Sequence, residues 1–192
     1  MVSAPTAESV DALADSVWPR HCSRGADGAM MIGGVDVRDI ASDHGAPVYV
    51  LDEEDLRSRA REYASAYRQA GASRVYYAAK AFLSVAVARW VFEEGLGIDV
   101  ASGGELAVAV RAGVPGDALL MHGNNKSMAE ITAAIEYGVG RIVVDSFAEI
   151  ARGASAAADA GVGQPVVGRA PVRVAATPPG YRPSAHEAQE LG

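Results

Sequence analysis

The chain is poor in several residue types at once, and each shortage excludes something. Its 192 residues hold a single cysteine, Cys22, so an internal disulfide and a cysteine-built metal cluster are both excluded, as suits a reducing compartment. Cations are fewer than anions, 17 against 24 for a net charge of -7. No Lys/Arg cluster offers a surface for a nucleic-acid backbone. No apolar run reaches the roughly 18 residues that a bilayer crossing needs. The first 20 residues carry Glu8, Asp11 and Asp15, without the basic start and apolar centre of a secretory signal. A cytoplasmic protein is expected, with neither nucleic acid, membrane nor metal as a partner.

Lysine is the most telling shortage. Of the 17 basic residues only Lys80 and Lys126 are lysine. Where arginine is the habitual cation, a lysine points to a place where guanidinium will not serve, because only the amine can deprotonate and attack a carbonyl. Against these shortages, 49% of the residues are hydrophobic and 21% charged, the balance of a globular chain.

The first 44 residues read as a mixed segment. It holds a short helix over 7–18, a hairpin over 29–37 turning at Gly33 and Gly34, and a helical turn or two over 39–44. A regular alternation follows. Strands are expected over 47–52, 74–80, 97–102, 118–123, 141–146 and 171–175, and helices over 53–69, 82–94, 104–112, 127–137 and 147–160. Ser127 and Ser146 stand where N-caps belong, with Glu130 and Glu149 three residues on as capping-box partners. Repeated strand–helix units mean a parallel sheet with helices outside it. An open nucleotide-binding sheet would carry a glycine-rich turn after its first strand, and Val50-Leu51-Asp52-Glu53-Glu54 is not one. The expectation is α/β, a partial (β/α)8 barrel, because about six strands fall short of the roughly 250 residues of a closed one.

Barrel chemistry sits at the C-terminal strand ends, here Asp52, Lys80, 99–102, 122–126 and 145–146. Lys80 ends an apolar strand and precedes Ala81-Phe82-Leu83, so either an apolar rim desolvates its amine or the strand ends in a solvated cation. Asp99 could hold a cationic partner such as Lys80. Ser102-Gly103-Gly104 reads first as an N-cap and turn, and second as backbone N–H groups offered to an anion. His122-Gly123-Asn124-Asn125-Lys126 is polar at the right end, although two asparagines also suit a plain turn.

Taken together, Tyr76-Tyr77-Ala78-Ala79-Lys80-Ala81-Phe82-Leu83, Gly97-Ile98-Asp99-Val100-Ala101-Ser102-Gly103-Gly104-Glu105-Leu106 and His122-Gly123-Asn124-Asn125-Lys126-Ser127 resemble the diaminopimelate decarboxylases, in order from about residue 28 to 165. The resemblance implies the pyridoxal phosphate barrel of the alanine racemase and ornithine decarboxylase group, joined to a β-domain and working as a homodimer. Residues 1–44 would belong to the β-domain side, 45–175 to an incomplete barrel and 176–192 to a divergent tail. Lys80 matches the catalytic lysine that carries pyridoxal 5'-phosphate, Asp99 the acid behind the cofactor, and His122 and Asn124 a pocket-facing segment. Roles for His122, Asn124 and Lys126 are not assigned individually. The implied reaction is decarboxylation of meso-2,6-diaminopimelate to L-lysine. The family's later His-Ile-Gly-Ser strand, glycine-rich phosphate loop, Glu-Pro-Gly-Arg segment and β-domain have no counterpart in these residues, so a truncated chain, inactive alone, is expected. Two alternatives stand beside it: a barrel decarboxylase for ornithine, arginine or a polyamine precursor, and a non-catalytic remnant pairing with a full-length subunit.

Overall fold

The computed structural model describes residues 13, 17–72 and 74–169. They fall into two compact units, divided between Glu62 and Tyr63. The expected helix over 7–18 and the strand over 171–175 lie outside the described residues, apart from residues 13, 17 and 18.

In the first unit, β1 (Cys22–Arg24), β2 (Met30–Ile32) and β3 (Val35–Asp36) form a three-stranded antiparallel sheet. The hairpin turns where expected: Ile32 pairs with Val35 across Gly33 and Gly34, both at positive φ (56° and 81°), as a two-residue type I′ turn demands. β1 was hidden in the sequence by its polar Cys-Ser-Arg composition. Helix α1 (Val37–His44) starts on Asp36, whose carboxylate accepts the Arg38 N–H, the usual N-cap arrangement. Residues 47–52 form no strand, contrary to expectation. Val48, Tyr49, Val50 and Leu51 are all exposed and pair with no strand among the described residues. A β-branched run makes a strand only where a neighbouring edge accepts its backbone groups. Asp52 serves instead at the start of α2 (Glu53–Gln69), where its Oδ1 accepts the Asp55 N–H at 3.0 Å.

The second unit holds β4 (Tyr76–Ala78), α3 (Val85–Glu93), β5 (Gly97–Val100), α4 (Gly103–Arg111), β6 (Leu119–Met121), α5 (Met128–Tyr137), β7 (Arg141–Val144), α6 (Phe147–Ala160) and β8 (Val166–Gly168). The strands are parallel and stand in sequence order, β4-β5-β6-β7-β8. Each new strand joins the same edge. An open doubly wound sheet reverses direction at a switch point, so this is a barrel-type progression. β8 replaces no expected element; three residues bounded by glycine and proline carry too little pattern to be read.

The core explains the order. Ile98, Val100, Leu119, Met121 and Ile142 from the strands are buried, as are Val87, Val91, Leu106, Ala109, Ile131 and Ala134 from the helices. β5 and β7 carry consecutive buried residues rather than alternating ones, the mark of parallel strands covered on both faces. Helix starts are fixed by Ser84, Ser102, Ser127 and Ser146, each accepting a backbone N–H three residues on. At Ser127 the full capping box forms. At Ser146 it does not: the serine caps Glu149 N, but the Glu149 carboxylate turns inward to other partners.

Candidate active site

Parallel registry brings the strand ends to one level. Ala78 pairs with Asp99, and Val100 with Met121, so the residues that follow β4, β5 and β6 emerge side by side. A 3-10 turn, Ala79–Ala81, carries Lys80 directly off β4. Tyr77 Oη donates to the Phe82 carbonyl at 2.7 Å, bracing that turn. Lys80, Asp99, Ala101, His122, Gly123, Asn124 and Arg169 line one concavity of about 400 Å3. All four residues singled out for the site, Lys80, Asp99, His122 and Asn124, thus face the same space.

Lys80 is exposed and shares the concavity with Asp99, His122, Asn124 and Arg169 as well as Ala101 and Gly123. Of the two readings open for Lys80, the exposed amine beside a half-exposed Phe82 favours the solvated cation over the apolar rim. Asp99 sits deeper. Its Oδ2 meets His122 Nδ1 at 3.2 Å, while Oδ1 is buried without a hydrogen-bond partner. Burial pushes the Asp99 carboxyl above its usual range, against the opposing charges of His122 and Lys80. Asp99 thus lines the concavity while one of its oxygens stays buried beneath it, desolvated and unpaired.

The turn after β5 is structural. Ser102 Oγ caps Glu105 N, the Ala101 N–H goes to Glu105 Oε2 at 2.6 Å, and the Gly103 N–H goes to Glu130 Oε1 at 2.9 Å. Those three N–H groups are therefore not available to an anion. The loop after β6 is held close to β5: Gly123 has φ +97°, and a Cβ there would stand 2.9 Å from the Ala101 carbonyl. Only glycine fits without a shift. Arg169, after β8, was not foreseen. It donates to Asp145 Oδ2 at 3.0 Å and brings a guanidinium to the concavity. Lys126, the other lysine, lies beneath the loop, its side chain 1% exposed, 3.2 Å from Glu149 Oε2. Nothing in the sequence marked that pairing, because Glu149 fits the capping-box spacing equally well.

A sequentially wound parallel sheet with an amine, a carboxylate–imidazole pair, an amide and a guanidinium gathered at its strand ends defines a barrel enzyme domain, whose chemistry sits at that end. The chain belongs to the family described as pyridoxal-dependent decarboxylase, pyridoxal binding domain, which matches residues 53–182. Among curated relatives, it is 48% identical over 180 residues to a diaminopimelate decarboxylase of Mycobacterium tuberculosis, covering 94% of this chain and 40% of the relative. To that of Bacillus subtilis it is 49% identical over 125 residues, 65% of this chain and 28% of the relative. Among solved structures it is similar to a diaminopimelate decarboxylase from M. jannaschii in complex with L-lysine, with TM-score 0.69 and 29% identity over 78% of this chain and 36% of that one. The chain therefore spans about 40% of the length of the M. tuberculosis relative. The fold is that of the family's barrel domain in part.

The residues present suit pyridoxal phosphate. The cofactor has an aldehyde for an amine and anionic groups for cations and amide donors. Lys80 would supply the exposed amine, and Arg169 and Asn124 a cation and an amide at the same concavity.

Proposed function

We propose that these residues form the lysine-bearing part of a pyridoxal 5'-phosphate-dependent, cytoplasmic, homodimeric decarboxylase that converts meso-2,6-diaminopimelate to L-lysine. The observation that carries the proposal is the convergence of Lys80, Asp99, His122 and Asn124 on one concavity within the family match. Among the described residues no helix is long and apolar enough to cross a membrane. Residues 1–44 are assigned to the β-domain side, 45–175 to the barrel and 176–192 to a divergent tail.

Pyridoxal phosphate, when bound, supplies an electron sink for the bond broken at the substrate carbon. Lys80 offers the amine that holds the cofactor. Asp99 and His122, hydrogen-bonded at 3.2 Å, would stand beside it, and Asn124 and Arg169 would orient anionic groups. In the overall change, one carboxylate leaves as carbon dioxide and a proton takes its place on the same carbon.

The scarcity of lysine makes the test clean. The chain has two lysine amines, and one of them is buried. The protein is incubated with pyridoxal 5'-phosphate, reduced with borohydride and digested. A pyridoxyl mass on the Lys80 peptide, lost in Lys80→Ala, is expected; label spread over other amines with none on Lys80 overturns the reading. Carbon dioxide release from diaminopimelate, set against ornithine and arginine, distinguishes the substrates.

A further inference from the structure

The chain's second lysine is fully enclosed, and its environment is specific. The Glu149 carboxylate accepts the Lys126 backbone N–H at 2.8 Å through Oε1, and the Asp145 backbone N–H at 3.0 Å and Lys126 Nζ at 3.2 Å through Oε2. Lys126 Nζ also donates to the Gly123 carbonyl. One buried carboxylate on α6 thereby ties together two turns. The first, residues 122–126, presents His122 and Asn124 to the Lys80 concavity. The second holds Asp145, whose own carboxylate accepts from Arg169 at 3.0 Å. A buried charge pair is a weak source of stability but a strong determinant of geometry, since alternatives leave a charge unpaired.

We propose that Lys126 and Glu149 are positioning residues: the pair locks the loop after β6 and the turn after β7 in the arrangement that puts His122, Asn124 and Arg169 around Lys80. Neither side chain lines that concavity. The inference rests on the cofactor reading above, and deepens it by assigning the support of the site.

The test compares Lys126→Met, which removes both Nζ bonds and keeps the stem, with Lys126→Arg, which keeps charge and donors. A neighbouring cavity of about 200 Å3, lined by Lys126 and Glu149 among others, gives the guanidinium room. In the cofactor-free chain, backbone hydrogen exchange at positions 126 and 145 is expected to speed up in Lys126→Met relative to the Leu106 and Ile131 amides, and to recover in Lys126→Arg. The pyridoxal phosphate concentration that half-saturates reductive labelling of Lys80 is expected to rise roughly tenfold in Lys126→Met, the order seen when a group orienting direct ligands is lost, and to recover in Lys126→Arg. Unchanged exchange in Lys126→Met, unchanged half-saturation, or failure of arginine to restore either reading overturns the proposal. Absence of label on wild-type Lys80 sinks the cofactor reading itself; exchange at 126 and 145 then decides alone whether the pair fixes the loop.

Discussion

The two lysines occupy opposite surroundings. Lys80 stands exposed on a three-residue turn, with the cavity before it; Lys126 is 2% exposed and holds a carboxylate and a carbonyl. A reacting amine must be reachable and free to exchange partners, whereas an amine that fixes backbone must be enclosed and occupied. In a chain where arginine fills nearly every other cationic position, both tasks fall to lysine. On the proposed function, the contrast separates the amine that would meet the cofactor from the amine that holds the loop.

The sharpest way to break the contrast is to remove each lysine in turn. Lys80→Ala is expected to abolish borohydride-trapped labelling while changing unfolding free energy by no more than about 0.5 kcal/mol, as for other exposed side chains. Lys126→Met is expected to cost about 3 kcal/mol or more, because the Glu149 carboxylate is left buried without its cation. Urea unfolding followed by circular dichroism measures both. Equal losses of stability from the two substitutions would end the distinction.

What was legible in the sequence follows the same division. Helices α2 and α6 match their expected spans, with Asp52 at the start of α2 and Ser146 and Gly161 at the two ends of α6 marking where each begins or stops. That Lys80, Asp99, His122 and Asn124 meet at one concavity was readable because strand ends converge by topology. What escaped depends on long-range partners. Glu149 looks like a cap from its spacing, and only the packing of α6 on α5 shows its carboxylate turned toward Lys126. Arg169 follows a strand of three residues, too short to display a period. Residues 47–52 have strand composition and no strand, because pairing is decided by a neighbour and not by the segment itself.

A smaller effect sharpens the role of the loops. Ser127→Ala removes one half of the capping box at α5 and frees Glu130, which also accepts from Gly103 at 2.9 Å. A loss of about 1 kcal/mol is expected. A loss near zero in the same unfolding assay would mean that Glu130 alone suffices to join the starts of α4 and α5.

The smallest expected change runs in the opposite direction and separates the site from its support by pH. Burial opposes ionisation of Glu149, but the N–H groups of Asp145 and Lys126, with the Lys126 amine, outweigh it and hold the carboxyl below its ordinary value. Its contribution is present at pH above the ordinary carboxylate range and is lost as pH falls through the lowered native value. Asp99 has the reverse sign. Burial raises its native value above the unfolded one, so ionising it costs stability, a cost absent below the unfolded value and complete above the raised native value. Asp99→Asn is therefore expected to raise the melting temperature slightly at neutral pH, with the gain shrinking to nothing as pH falls below the ordinary range of aspartate. Glu149→Gln is expected to lower it at neutral pH, with the deficit shrinking in acid. A site residue that the fold tolerates at a cost, beside a support residue that the fold depends on, is the signature of stability yielded for function. Parallel pH profiles for the two variants would show instead that Asp99 is held in place for the fold.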